Sequence, residues 1–81
     1  MLAIGKQLTA EQRIQKAVVK LMNDDRYIAL ASVLMIGDRT VRDDIPTACT
    51  NGRDEMYGRA FVDKLTDPEL RGLIIHECKH K

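Results

Sequence analysis

Aromatic residues are nearly missing from this chain. Tyr27, Tyr57 and Phe61 are the only ones, and tryptophan is absent. Three scattered rings are too few for a platform on which nucleic-acid bases stack. Surplus charge of either sign is missing too. Thirteen basic residues against 12 acidic ones leave a formal net charge of +1, so no basic field points to a phosphate backbone. Only two cysteines occur, Cys49 and Cys78, far apart and without a C-x-x-C. They form no disulfide framework and suggest a reducing compartment. The opening M-L-A-I-G-K is too short an apolar run for a signal peptide. No apolar run reaches the roughly 20 residues that cross a bilayer. The expected partners therefore include neither nucleic acid nor a membrane. With 81 residues the chain is one domain with a modest core.

Histidine is also scarce, and its placement is informative. The two histidines are His76 and His80, within the last sixteen residues T-D-P-E-L-R-G-L-I-I-H-E-C-K-H-K, numbers 66–81. His76-Glu77-Cys78-Lys79-His80 is an H-E-x-x-H motif, the signature of a zinc hydrolase helix. The surroundings predict a helix over 66–81. Thr66 and Glu69 make a capping box, and Leu65 and Leu70 are spaced for a hydrophobic staple. Pro68 falls in the first turn, where its missing N–H is harmless. Asp67 and Glu69 suit the positive end of the helix dipole, and Lys79 and Lys81 the negative end. Gly72 is the weak point, and close packing on a neighbour would explain it.

At about 100° per residue, Leu70, Leu73, Ile74 and Cys78 form one apolar side. His76 and His80 share a neighbouring stripe, so both imidazoles can reach one Zn²⁺. Glu77 falls between the stripe and the apolar face. A carboxylate there needs a partner. A metal-bound water would be that partner and Glu77 its general base. The same five letters also arise by chance on a helix with a charged rim; a capped, half-buried helix is the context that supports the metal reading.

The rest of the chain supplies a scaffold. Residues 1–8 read as a loosely held arm. Thr9 and Gln12 make a second capping box, opening a helix to about Asn23. Ile14, Ala17, Val18, Leu21 and Met22 form its core stripe, while Arg13, Gln15, Lys16 and Lys20 face water. The run Tyr27–Ile36 predicts a short helix from about Asp24 to Ser32 and then a buried strand over Val33–Ile36. Met22 and Met35 are expected in the core. Gly37-Asp38-Arg39 is a turn, and Thr40–Arg42 a short strand. Asp43-Asp44-Ile45-Pro46 is a loop, with the two carboxylates solvated rather than gathered on a metal. Thr47–Thr50 and Asp54–Tyr57 flank Asn51-Gly52 as a hairpin. Its edge could pair with an extended substrate. Arg59–Leu65 is a short helix running into the capped one.

These residues resemble a known family. I-P-T-A-C-T-N-G-R (45–53), M-Y (56–57), F-V-D-K-L (61–65) and L-T-D-P-E-L-R-G-L-I-I-H-E-C-K-H (65–80) are similar to the metallopeptidase domain that precedes a von Willebrand A-like domain in bacterial and phage proteins. The resemblance covers about residues 9–80 and is most specific over 45–80. It implies an α+β, zincin-like fold: a backing helix, a small β-sheet or hairpin, and a C-terminal active-site helix. It implies Zn²⁺ on His76 and His80, catalysis by Glu77, and a peptide or protein substrate. It places the protein in the cytoplasm of a bacterium or phage-infected cell, or in a virion. Asn51 stands where the family often has Asp, and Asp54-Glu55 lengthens the turn.

A catalytic zinc takes three protein ligands and a water. In zincins the third follows the second histidine, and here one residue follows it. Several sources stay open: Cys49, an Asp or Glu, a second subunit of a homo-oligomer, or an additional C-terminal domain of which residues 1–81 are the N-terminal part. The other readings are a catalytically inactive structural or interaction module, such as a phage assembly component, and another small H-E-x-x-H protein, such as a repressor-cleaving regulator or a DNA-repair protease.

Overall fold

Two capped helices frame the fold. In the computed structural model, which describes residues 8–81, Thr9 caps α1 (Ala10–Met22). The Thr9 hydroxyl accepts from the Gln12 N–H at 3.1 Å, and the Thr9 N–H donates to Gln12 Oε1 at 2.9 Å. Thr66 and Glu69 repeat this reciprocal pair at the start of α4 (Asp67–Cys78), at 3.3 and 2.8 Å. Both helices begin where the sequence predicts. Each box satisfies donors that a helix start otherwise leaves orphaned. The arm expected over 1–8 lies, except for Leu8, outside the described residues.

Ile14, Ala17, Val18 and Leu21 of α1 join Leu70, Ile74 and Cys78 of α4 in one core cluster. Leu34, Tyr57 and Val62 complete its buried centre, with Ala10 at the rim of α1. Arg13 departs from expectation. It does not face open water: its guanidinium reaches the carbonyls of Val62 (2.8 Å) and Leu65 (2.5 Å) and the Asp67 carboxylate (3.1 Å). Gly72 is exposed, and a methyl group there would meet nothing within 4 Å, so close packing does not explain it.

The segment after α1 is the main correction. Asp25–Leu30 is a 3₁₀ stretch broken at Tyr27 (φ −117°, ψ 20°), and Ala31–Leu34 is a single-turn helix, α2. No strand forms over Val33–Ile36. Only Leu34 of the run is buried, while Ile28, Met35 and Ile36 are 70%, 72% and 46% exposed. A strand needs a ladder partner and a buried face. This run has neither, so its apolar composition does not make one. Met35 is a surface residue, contrary to expectation, whereas Met22 packs against the core.

Three short strands form a mixed sheet: β1 (Arg39–Arg42), β2 (Ala48–Thr50) and β3 (Glu55–Gly58), in the order β1-β3-β2. β3 is central, parallel to β1 and antiparallel to β2, so the predicted hairpin is present and β2 is a sheet edge. Asn51 Oδ1 accepts from the N–H groups of Arg53 (2.9 Å) and Asp54 (2.7 Å), which shapes the hairpin turn. Gly37 has φ 74°, and a Cβ there would lie 2.1 Å from the Arg53 carbonyl oxygen. At Gly58 a Cβ would lie 2.1 Å from the carbonyl oxygen of Ile45. Only glycine lets these backbones pass so closely. α3 (Arg59–Lys64) follows β3 and leads into Thr66. The architecture is α+β, with a backing helix, a small mixed sheet and a C-terminal helix, compatible with the zincin-like plan.

Candidate metal centre

The site sits on the last turn of α4 and the turn beyond it. Regular helix ends at Cys78, three residues sooner than predicted. The chain nevertheless stays wound. The N–H groups of Lys79, His80 and Lys81 reach the carbonyls of Ile75 (3.1 Å), Glu77 (3.1 Å) and Cys78 (3.2 Å), the last two in the tighter 3₁₀ spacing. His80 therefore keeps the neighbourhood of His76 that an unbroken helix would give it. The two Nε2 atoms are 3.2 Å apart, with ring centroids at 4.7 Å and planes at 78°. Both rings are exposed.

That separation can be tested against a metal. Two Zn–N bonds of about 2.0–2.1 Å at a tetrahedral angle put their nitrogens roughly 3.3–3.4 Å apart. The observed pair fits within about 0.2 Å. It also suits a hydrogen bond from one imidazole N–H to the unprotonated nitrogen of the other. Between the histidines in sequence, Glu77 is 6% exposed, and among the described residues its carboxylate has no hydrogen-bond donor or ion-pair partner. No buried side-chain oxygen among the described residues lacks a partner, so the Glu77 carboxylate keeps contact with solvent and is open to a water.

Residues 9–81 match the model of a family described as a putative metallopeptidase domain. The chain belongs to this family. No curated protein and no solved structure matches it. Membership suggests a metal and a peptidase role for the domain. Among the described residues no helix is long and apolar enough to cross a membrane.

The third ligand is not assembled from the described residues. Among them, no group of three or more His, Cys, Asp or Glu is placed to hold a metal ion. Cys49 is exposed on the edge strand β2 and is not gathered with the histidines. Asp43 and Asp44 are occupied by Arg59 (2.8 Å) and Arg42 (2.9 Å), as solvated turn carboxylates.

The sequence reading missed a second group of charges, buried near the end of α4. Glu55, at the start of β3, is fully buried. Arg39 donates to its Oε1 at 3.1 Å, the Tyr57 hydroxyl donates to the same oxygen, and the Lys81 ammonium lies against Oε2. Cys78 Sγ is 4.0 Å from Oε2. Burial raises the Tyr57 hydroxyl far above its ordinary range, and the hydrogen bond to Glu55 adds to this. Burial also raises the Cys78 thiol, with the Glu55 charge reinforcing it. A signal was present. Glu55 and Tyr57 are two apart on one strand and so share a face; a buried Tyr57 commits Glu55 to the interior.

Proposed function

We propose that this domain is a zinc-dependent peptidase domain that cleaves peptide bonds. His76 and His80 hold Zn²⁺ through Nε2, and Glu77 is the general base. The carrying observation is the 3.2 Å separation of the two Nε2 atoms, with Glu77 between their residues in the H-E-x-x-H sequence. Bound zinc supplies a Lewis acid that acidifies water and polarises a carbonyl. Glu77 accepts the proton at its carboxylate and can return it to the departing amine. A peptide or protein is the substrate, and the edge of β2 offers main-chain groups to an extended one. The third protein ligand comes from outside the described residues, from a second copy or another segment of polypeptide. The setting proposed is the cytoplasm of a bacterium or a phage-infected cell, or a virion.

The test is metal content by mass spectrometry, for the wild-type protein and His76→Ala purified in parallel with zinc present, in the assembly or longer chain that supplies the third ligand. About one zinc per chain is expected for wild type and far less for the variant. Equal zinc in the two would end the assignment.

A second reading, an inactive structural or interaction module, is favoured by one observation: the missing third ligand among the described residues. It requires a protein whose thermal unfolding is the same with and without a chelator.

A further inference from the structure

We propose that the buried contact between Lys81 and Glu55 is a positioning device for the metal site. It pins the turn that carries His80 and thereby presets the spacing of the two imidazoles. The inference rests on the metal assignment above and extends it to residues outside the motif.

His80 needs such a device. It lies two residues beyond the last residue of α4, in a region where helices fray and carbonyls lack partners. A frayed turn would carry the His80 ring away from His76, and a metal would then have to order it on binding. Backbone hydrogen bonds of 3.1–3.2 Å at His80 and Lys81 are modest restraints on their own.

Lys81 adds what the backbone lacks. Its side chain is 3% exposed, although lysine is almost never buried without partners. The ammonium lies against Glu55 Oε2 and donates to the carbonyls of Ile36 (2.9 Å) and Val33 (3.3 Å). Three acceptors match the three N–H groups of an ammonium. The Val33 carbonyl also accepts from the Ile36 N–H at 3.1 Å, so the ammonium joins a turn that is already closed.

The anchor point is itself buried and held by several partners. Glu55 sits on the central strand, between β1 and β2, with Arg39 and Tyr57 on its other oxygen. Arg39 also donates to the Leu34 carbonyl at 2.5 Å. A chain of charged contacts therefore runs from the middle of the sheet to the residue next to His80. Groups that orient metal ligands typically change affinity 10- to 100-fold when removed.

The experiment measures zinc affinity by competition with a chromophoric chelator, with the third ligand supplied, for wild type, Lys81→Met and the core control Ile14→Val. All three are compared at a temperature where circular dichroism shows each folded. Lys81→Met should weaken zinc roughly 10- to 100-fold, while Ile14→Val, which costs only stability, leaves affinity unchanged. Equal affinity in wild type and Lys81→Met overturns the proposal and leaves the metal assignment intact. Failure of wild type to bind zinc overturns the metal assignment and this inference with it. Should Lys81→Met not fold, amide hydrogen exchange in metal-free wild type decides. Protected His80 and Lys81 amides support a pinned turn; rates of unstructured chain refute it.

Discussion

Arg13, in the first turn of α1, reaches Asp67, the first residue of α4, at 3.1 Å. The same guanidinium holds the carbonyls of Val62 and Leu65, so one side chain joins the starts of the two capped helices and the end of α3. Its planar fork can serve three acceptors where an ammonium would serve them poorly. Arg13→Ala should lower stability by about 2–3 kcal/mol, because half-buried carbonyls lose a charged donor. Urea denaturation measures this, and Arg13→Lys should recover only part. An unchanged midpoint in Arg13→Ala would show that the latch contributes nothing.

Asp24 gives an acid-side prediction. The Arg26 side chain, and then the Arg26 backbone N–H, hold its carboxyl down at about 2. A folded pKa below the unfolded one contributes stability that is present above about pH 4 and is lost as pH falls toward about 2. NMR titration should place the Asp24 midpoint near 2 and move it upward in Arg26→Ala. An ordinary midpoint of about 3.9 in wild type would contradict the assignment.

The alkaline side belongs to Tyr57. Its hydroxyl donates to buried Glu55, and burial holds it protonated. Here the folded pKa is raised, so its stabilising contribution is complete below about pH 10 and is lost as pH rises further. Above about pH 10 the fold should weaken by about 1.4 kcal/mol per pH unit from this group. Subtracting the ultraviolet titration of Tyr57→Phe from that of wild type isolates the Tyr57 signal. That signal should appear only with unfolding. Ionisation of Tyr57 in the folded state near pH 10 would exclude the buried hydrogen bond.

Much of this fold is legible from local chemistry. Thr9 with Gln12 and Thr66 with Glu69 each place a helix start to the residue, because a capping box involves only neighbours in sequence. The Asn51-Gly52 turn locates the hairpin for the same reason. The Tyr27–Ile36 run is not legible from sequence because its fate depends on distant partners: Arg39 and Lys81 donate to the carbonyls of Leu34, Val33 and Ile36. Likewise the pairing of His76 with His80 follows from helical spacing. The burial of Lys81 on Glu55, 26 residues away, needs the sheet first. Lys81 read as a helix-dipole partner; in the fold it faces inward.

The Glu77 carboxylate separates a general base from a ligand. Replacing it by Gln keeps the shape and breaks no hydrogen bond or ion pair among the described residues, so metal-free Glu77→Gln should be about as stable as wild type. Zinc uptake should persist, since the imidazoles of His76 and His80 remain 3.2 Å apart. At zinc near 100 times its dissociation constant, stabilisation of about 2.7 kcal/mol is expected. For a domain of this size that raises the melting temperature by roughly 10–20 °C. Wild type and Glu77→Gln should show this rise alike, and His76→Ala and His80→Ala should not. Peptide hydrolysis, assayed with the third ligand supplied, should fall about 10²- to 10⁴-fold in Glu77→Gln. If Glu77→Gln loses the zinc-dependent rise as the histidine variants do, Glu77 is a ligand, and its role as the base is wrong.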